Sequence, residues 1–329
     1  MSLKDKLRLF VRHNRVILFG RLMFEALCET CSHTKHLGAA DMLSDEVKFA
    51  ADLRIRTHAI EKGMSIGSAR VGFGQPKVLA LIDDLFLFIR KFPTASIDEA
   101  VCVIERYIAY NAGRGCDMPD VKARYEQLLK AYKLRTPLNV GIRELKYSET
   151  AEAAQASFDT FSHSRYSIRD FDTDTVVDFK DIIGAIDMAR KAPSACNRQP
   201  ARAHIFKGEA AHKLLDFQGG CKGFANDMQY ALLVTADMRQ YFINERHQMY
   251  VDGGLFAMEL LLSLHYKGLA TIPLTTSYKS MKTRRMRKEF DIPSYEVPVM
   301  IIGVGAFKDE YKVAVSHRNP VEDYYCEHH

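Results

Sequence analysis

Arg165-Tyr-Ser-Ile-Arg-Asp-Phe171, and further on Ala192-Pro-Ser-Ala-Cys-Asn-Arg-Gln-Pro200, decide how this chain of 329 residues reads. The first stretch spaces two guanidiniums around a hydroxyl. That pattern suits phosphate, because a guanidinium grips planar oxygens with two parallel N–H donors, and the unpaired N–H groups of a nearby helix start add partial positive charge. The second stretch offers short polar groups and a sharp turn. An equally available reading is a surface turn followed by a helix N-cap. The pair is therefore weighed against the rest of the chain.

Hydrophobic residues make up 47% of the chain, enough for a packed core and too many for global disorder. Lysine and arginine (46) outnumber acids (41) by five, a balance that suits small anions. With no zinc-finger spacing and no basic stripe interleaved with aromatics, nucleic acid is not expected as a partner. Seven cysteines are too few for a disulfide scaffold and point mildly to a reducing compartment. Cys28 and Cys31 with His33 and His36 lie within nine residues, too close together for the two separated knuckles of a structural zinc site, so no metal is expected. Cys196 has no adjacent base to make it a nucleophile.

No run is long enough to cross a membrane. No small-residue cleavage site follows an apolar run, which points to the cytoplasm. Residues 1–25 intersperse Lys4, Lys6, Arg8, Arg12, Arg15 and Arg21 with apolar residues. Such a segment suits an anionic membrane surface, or a helix folded back on the body, and the docked helix is the favoured expectation.

Residues 1–150 read as a mainly helical domain. The apolar spacing predicts helices over 44–60, capped by Ser44, over 77–92, over 97–110 after Ser96, and over 121–134 after Asp120. Residues 137–155 read as a linker. His58, Glu61 and Lys62 share one helical face that is expected to stop at Gly63, either as a polar cluster facing an active site or as a solvated helix end. From residue 156 to 326 the texture is mixed. A helix is expected over 176–190, strands over 203–206, 230–236 and 297–307, and a very apolar helix over 253–266 stopped by Gly268. In that helix Leu260, Leu261, Leu262 and Leu264 cannot all point into a one-sided core, which predicts that part of the helix is buried by a second subunit.

Five separated elements now occur in order: Ser164-Arg-Tyr-Ser-Ile-Arg-Asp-Phe171, Ala192 to Pro200, the helix entering Lys267-Gly-Leu-Ala-Thr271, the strand Val297 to Phe307, and His317-Arg-Asn-Pro320. Together they resemble the nitroreductase family of FMN-dependent oxidoreductases. The resemblance implies an α+β domain, a mixed sheet packed by helices, behind the helical N-terminal region. It also implies a homodimer with FMN at the interface, and electrons from NAD(P)H passed to a small acceptor that the sequence does not name.

By the same resemblance Arg165, Ser167, Arg169 and Arg318 contact the phosphate and ribityl chain. Pro193, Ser194, Ala195 and Asn197 come from the partner subunit, and Gly268, Leu269 and Ala270 bring backbone against the flavin ring. The chemistry then belongs to flavin N5, and no side chain is expected as a catalyst. Tyr166 stands where the family commonly has a second Arg, and Ala201 where Trp is common, so one wall is smaller. The basic run Lys279 to Lys288 suits the extra phosphate of NADPH or a solvated helix face. Two alternatives stay open. One is specialised flavin chemistry without nicotinamide, such as dehydrogenation. The other is a non-catalytic flavin-binding or membrane-peripheral interaction protein.

Overall fold

The computed structural model describes residues 14–36, 42–241, 245 and 247–328. The helical part comprises α1 (Arg15–His36), α2 (Glu46–Met64), α3 (Gln75–Lys91), α4 (Asp98–Ala112) and α5 (Pro119–Ala131). In α3, Val78, Leu81, Ile82, Leu85 and Phe88 recur at helical spacing and are all buried. They meet Phe49 and Leu53 of α2 and Val101, Ile104 and Tyr107 of α4 in one apolar cluster, with the Phe49 and Phe88 rings edge to face at 5.3 Å.

Helix ends differ from expectation where capping decides them. Asp45, not Ser44, caps α2 by accepting from the Lys48 N–H at 3.1 Å. Asp120 lies inside the first turn of α5, because Pro119 already starts the helix. Gly63 does not stop α2, which runs on to Met64. A Cβ at Gly63 would lie 2.2 Å from the Phe73 ring, so the residue is glycine for close packing.

Residues 137–155, expected as a linker, contain β1 (Ile142–Lys146) and α6 (Tyr147–Ala154). Strand β1 pairs antiparallel with β7 (Glu310–Ala314), far along the chain. There follow α7 (Phe158–Ser164), β2 (Phe171–Asp172), α8 (Phe179–Ala189), β3 (Ala201–Lys207), α9 (Glu209–Gln218), β4 (Tyr230–Asp237), α10 (Gln248–Tyr266), β5 (Ala270–Thr275), α11 (Ser280–Glu289) and β6 (Glu296–Phe307). The fold is α+β. Long β6 is the spine of a five-stranded sheet, with β4 then β3 on one side and β5 and β2 on the other. The sheet was expected to be mixed, yet every pairing among the described residues is antiparallel.

Strand β4 is buried along its whole length, and its period of two sorts the core. Leu232 and Val234 face Ile182 of α8 and Phe256, Leu260, Leu261 and Leu264 of α10. Ala231 and Leu233 face Leu214 and Leu215 of α9 and Met286 of α11. Of the four leucines expected not to share a one-sided core, Leu260, Leu261 and Leu264 are buried within the chain and Leu262 is partly exposed. The large apolar residues that α10 exposes are Tyr250, Val251, Leu255 and Met258, with Tyr266 at its C-terminal end. Helix α1 also differs from expectation. It does not bury its apolar face on the body, and Val16, Phe19, Phe24 and Leu27 stay largely exposed. Residues 1–13 of the basic segment lie outside the described residues, as do the side chains of Cys28, His33 and His36.

Candidate functional site

The segment Ser164 to Phe171 runs between the C-terminal end of α10, strand β5 and the end of α2. Its Ile168 N–H donates to the Thr271 carbonyl at 2.9 Å, anchoring it to β5. At the helix end Gly268 adopts φ 71°, and Leu269 N–H reaches back to the Leu264 carbonyl at 3.0 Å, which closes α10 and starts β5. A side chain at Gly268 would also strike the Tyr147 hydroxyl, whose ring stacks on Phe307. Backbone at Gly268, Leu269 and Ala270 is thus brought beside the Arg165 segment by ordinary helix-capping geometry.

Arg165 sits mostly buried beside His265 and Arg318. Burial first, and the positive charge of Arg318 second, depress the Arg165 pKa. Its Nη1 is buried and has no hydrogen-bond partner. A buried charge without an acid partner is costly. Arg318 donates to the Ser316 carbonyl at 2.9 Å, with Ser316 in the left-handed region.

Arg169 is 9% exposed, and burial lowers its pKa to about 10, opposed by the negative charge of Glu61. Its Nη1 donates to the Ser167 carbonyl at 3.1 Å. Here the helical part of the chain enters. Glu61 of α2 is buried, accepting from the Gly141 N–H at 2.8 Å through Oε1 and lying 3.1 Å from His58 Nδ1 through Oε2. Lys62 is half-buried, and its pKa is lowered by desolvation and by repulsion from Arg169. Just beyond, Ile66 packs into the core of the sheet domain and Gly67 lies against the Asp170 carboxylate with no room for a Cβ. Glu61 and Lys62 therefore approach the Arg169 segment, while His58 is held back by Glu61.

Pro193, Ser194, Ala195 and Asn197 lie elsewhere. Cys196, Asn197 and Gln199 have φ of 51°, 54° and 51°, three non-glycine residues in a strained region. Asp252 of α10, 2% exposed, holds this loop. It accepts from Ala195 N–H at 3.2 Å, from the Tyr241 hydroxyl at 2.7 Å and from Gln248 Nε2 at 2.8 Å. Arg198 locks the far side with a two-pronged pair to Glu245, both bonds at 2.9 Å, under the Tyr241 ring. A cleft of about 380 Å³ opens here between Pro193, Ser194, Gln199, Pro200, Asp252 and Phe256. Among the described residues no hydrogen bond joins this loop to the Arg165 segment, so a single chain carries the two halves of the motif apart.

Sequence reading missed Asp252 and His265. An acid beside Gly253-Gly254 at the start of a very apolar helix was the available signal for the first. His265 carried none, since its partner Ser164 is distant in sequence. Ser164 Oγ donates to the Phe161 carbonyl and has one proton, so at 2.6 Å it receives its bond from His265 Nε2–H.

Known proteins were compared with the chain. Residues 163–229 match the family model described as Nitroreductase family. A Bacillus subtilis (strain 168) protein named as an NAD(P)H nitroreductase is 25% identical over 176 residues, covering 43% of this chain and 85% of that protein. Solved structures include one named as an NAD(P)H:FMN oxidoreductase from Staphylococcus epidermidis, with TM-score 0.46, 18% identity, and 52% and 95% of the two chains covered. Another, named as a nitroreductase in complex with FMN from Exiguobacterium sibiricum, has TM-score 0.44, 18% identity, and covers 53% and 98%.

Burial, then Arg165, pushes the His265 pKa from 6.5 down to about 4. A histidine depressed on folding binds its proton first in the unfolded chain. The folded state consequently loses stability as pH falls from 6.5 towards 4, and nothing is lost above that window. At pH 5 the loss from this group is about 2 kcal/mol. Urea unfolding at pH 7 and pH 5 should show His265→Gln with a smaller pH dependence than the parent by about that amount. Equal dependence in both proteins would mean that His265 is not held neutral.

Proposed function

We propose that the C-terminal part of this chain is a nitroreductase-family domain and that the protein is an FMN-dependent oxidoreductase, taking electrons from NAD(P)H and passing them to a small-molecule acceptor. The observation that carries the reading is the buried, unpartnered Nη1 of Arg165 beside Arg318. Two guanidiniums without a carboxylate between them fit a phosphate, which brings up to two negative charges and several acceptor oxygens. Bound FMN would supply the redox chemistry at its ring.

The chain's residues have binding and positioning roles in this proposal. Arg165 and Arg318 neutralise the phosphate with Ser167 beside them. Arg169, charged and poor in hydrogen-bond acceptors, adds positive charge along the same segment. The backbone of Gly268, Leu269 and Ala270 meets the ring, where fixed N–H dipoles favour negative charge. Lys62 and Glu61 bring the helical part up to Arg169, so that this half closes one side of the site and narrows access for the acceptor. His265, held neutral, supports Arg165 without adding repulsion.

A second copy completes the site in this reading. Pro193, Ser194, Ala195 and Asn197 stand apart from Arg165 in one chain, and Asn197 carries both donor and acceptor groups for the polar edge of a flavin. The exposed stripe Tyr250, Val251, Leu255 and Met258 on α10 lies on the helix that bears Asp252, the residue that holds that loop. Covering the stripe by a two-fold copy would bring the loop to the interface.

Titration of apoprotein with FMN, read by flavin fluorescence, tests the cofactor assignment. Arg165→Ala and Arg169→Ala should each weaken binding by about 1.5–3 kcal/mol, and Lys62→Gln by less, since its charge is more exposed. Unchanged affinity in both arginine variants would remove the phosphate from this place. Sedimentation at low micromolar concentration should give twice the chain mass of 37.4 kDa. A monomer that retains FMN would exclude the shared site.

A further inference from the structure

The last turn of α2 is held from three sides. Ser65 N–H reaches the Glu61 carbonyl at 3.1 Å, and the Ser65 hydroxyl donates to the Lys62 carbonyl at 2.9 Å, which closes the helix. Glu61 Oε1 holds the Gly141 N–H at 2.8 Å. Just past Met64, Ile66 packs into the apolar cluster that contains Ile168, and Gly67 lies against Asp170. A side chain on this turn is therefore carried by fixed backbone to the Ile168–Asp170 stretch. Lys62 is such a side chain.

Lys62 and Arg169 meet there with too little acid between them. Lys62 is half-buried, and burial and then the positive charge of Arg169 lower its pKa. Neither side chain makes a salt bridge among the described residues. Glu61 opposes Arg169, but its oxygens are already engaged by Gly141 N–H and His58 Nδ1. Asp170 is taken up by Lys308 at 2.6 Å. In the FMN reading, Arg165 and Arg318 answer the phosphate. The loop Pro193 to Asn197, assigned there to a second copy, contains no acid. Two cations, Arg169 and Lys62, against one acid, Glu61, leave one positive charge unanswered. Half-withdrawn from water, that charge interacts more strongly with an anion than it would on the surface.

We propose that Lys62 and Arg169 form a carboxylate-binding subsite, so that the small-molecule acceptor is an anion carrying one carboxylate. A planar guanidinium and a compact ammonium side by side share the two oxygens of such a group. The proposal rests on the FMN reading for the acceptor's role, whereas the preference for an anion is a property of the two side chains. Because Lys62 lies on α2, the helical half selects the acceptor by charge and does more than narrow its access.

Isothermal titration calorimetry of the full chain, with and without saturating FMN, tests this with two probes of nearly one shape, benzoate and benzamide. Benzoate should bind at least about tenfold tighter than benzamide to the FMN-loaded protein. Lys62→Gln should remove most of that ratio and leave benzamide binding unchanged, while Lys62→Arg should keep the ratio. Equal affinity for the two probes in the parent chain would overturn the proposal, and that comparison requires no variant to fold. A Lys62→Gln protein that keeps the benzoate preference but loses affinity for FMN and not for riboflavin would also overturn it, by assigning the ammonium to the cofactor phosphate. If FMN fails to bind while a Lys62-dependent benzoate preference persists, the subsite stands and the cofactor reading falls.

Discussion

Arg165 and Arg169 are withdrawn from water with too little negative charge around them. A guanidinium cannot shed its proton under ordinary conditions, so burial leaves it to find acceptors or to raise the free energy of the folded chain. Arg169 is partly compensated, by Glu61 and a carbonyl. Arg165 is not, since its charged neighbour is Arg318 and one of its nitrogens has no partner. Much of the surrounding architecture converges on these two side chains. The cap at Gly268, the bond from Ile168 to β5, the inward turn of Glu61 and the neutral His265 each fix one wall of their environment. An arrangement of this sort is destabilising alone and is relieved by a bound anion, which couples ligand binding to stability.

The helical half is tied into that environment by few but buried contacts. Glu61 accepts from Gly141, at the entrance to β1, and β1 is itself paired with β7. A movement of α2 would disturb Arg169 electrostatically and the β1–β7 ladder mechanically. The loop from Pro193 to Gln199 is organised separately, from α10, through Asp252. Its three left-handed non-glycine residues are strained, and the carboxylate and the Arg198–Glu245 pair hold them in place. Strain maintained in this way makes a shaped surface, suited to meeting another surface.

Local signals were legible and distant partners were not. The period of two in Tyr230–Asp237 and Glu296–Phe307, the apolar spacing of α3, and Gly268 as the end of α10 could all be read along the chain. The Arg165–Phe171 stretch stood out as a proposed anion site because its charges lie within seven residues. Strand β1 escaped notice, since its Ile-Arg-Glu-Leu-Lys carries no run of apolar residues and its stability comes from β7. Gly63 was misread for a general reason. A glycine near the end of an apolar pattern looks the same whether it supplies a left-handed cap or makes room for a ring, and only the position of Phe73 decides. How many of the α10 leucines the chain itself encloses could not be read along the sequence, because the sheet and α8 cover that helix from two sides. Asp252 and Ser164–His265 depend on contacts between segments far apart in sequence.

Thermal unfolding of the apoprotein with FMN and with riboflavin, at matched concentrations, tests the central claim most directly, because the two ligands differ only in the phosphate. Stabilisation follows ligand affinity, about 2.7 kcal/mol at a hundredfold excess over Kd. With the buried arginines as the phosphate site, FMN raises Tm clearly and riboflavin leaves it nearly unchanged. Equal shifts with both ligands, or no shift with either, would contradict the assignment of these arginines.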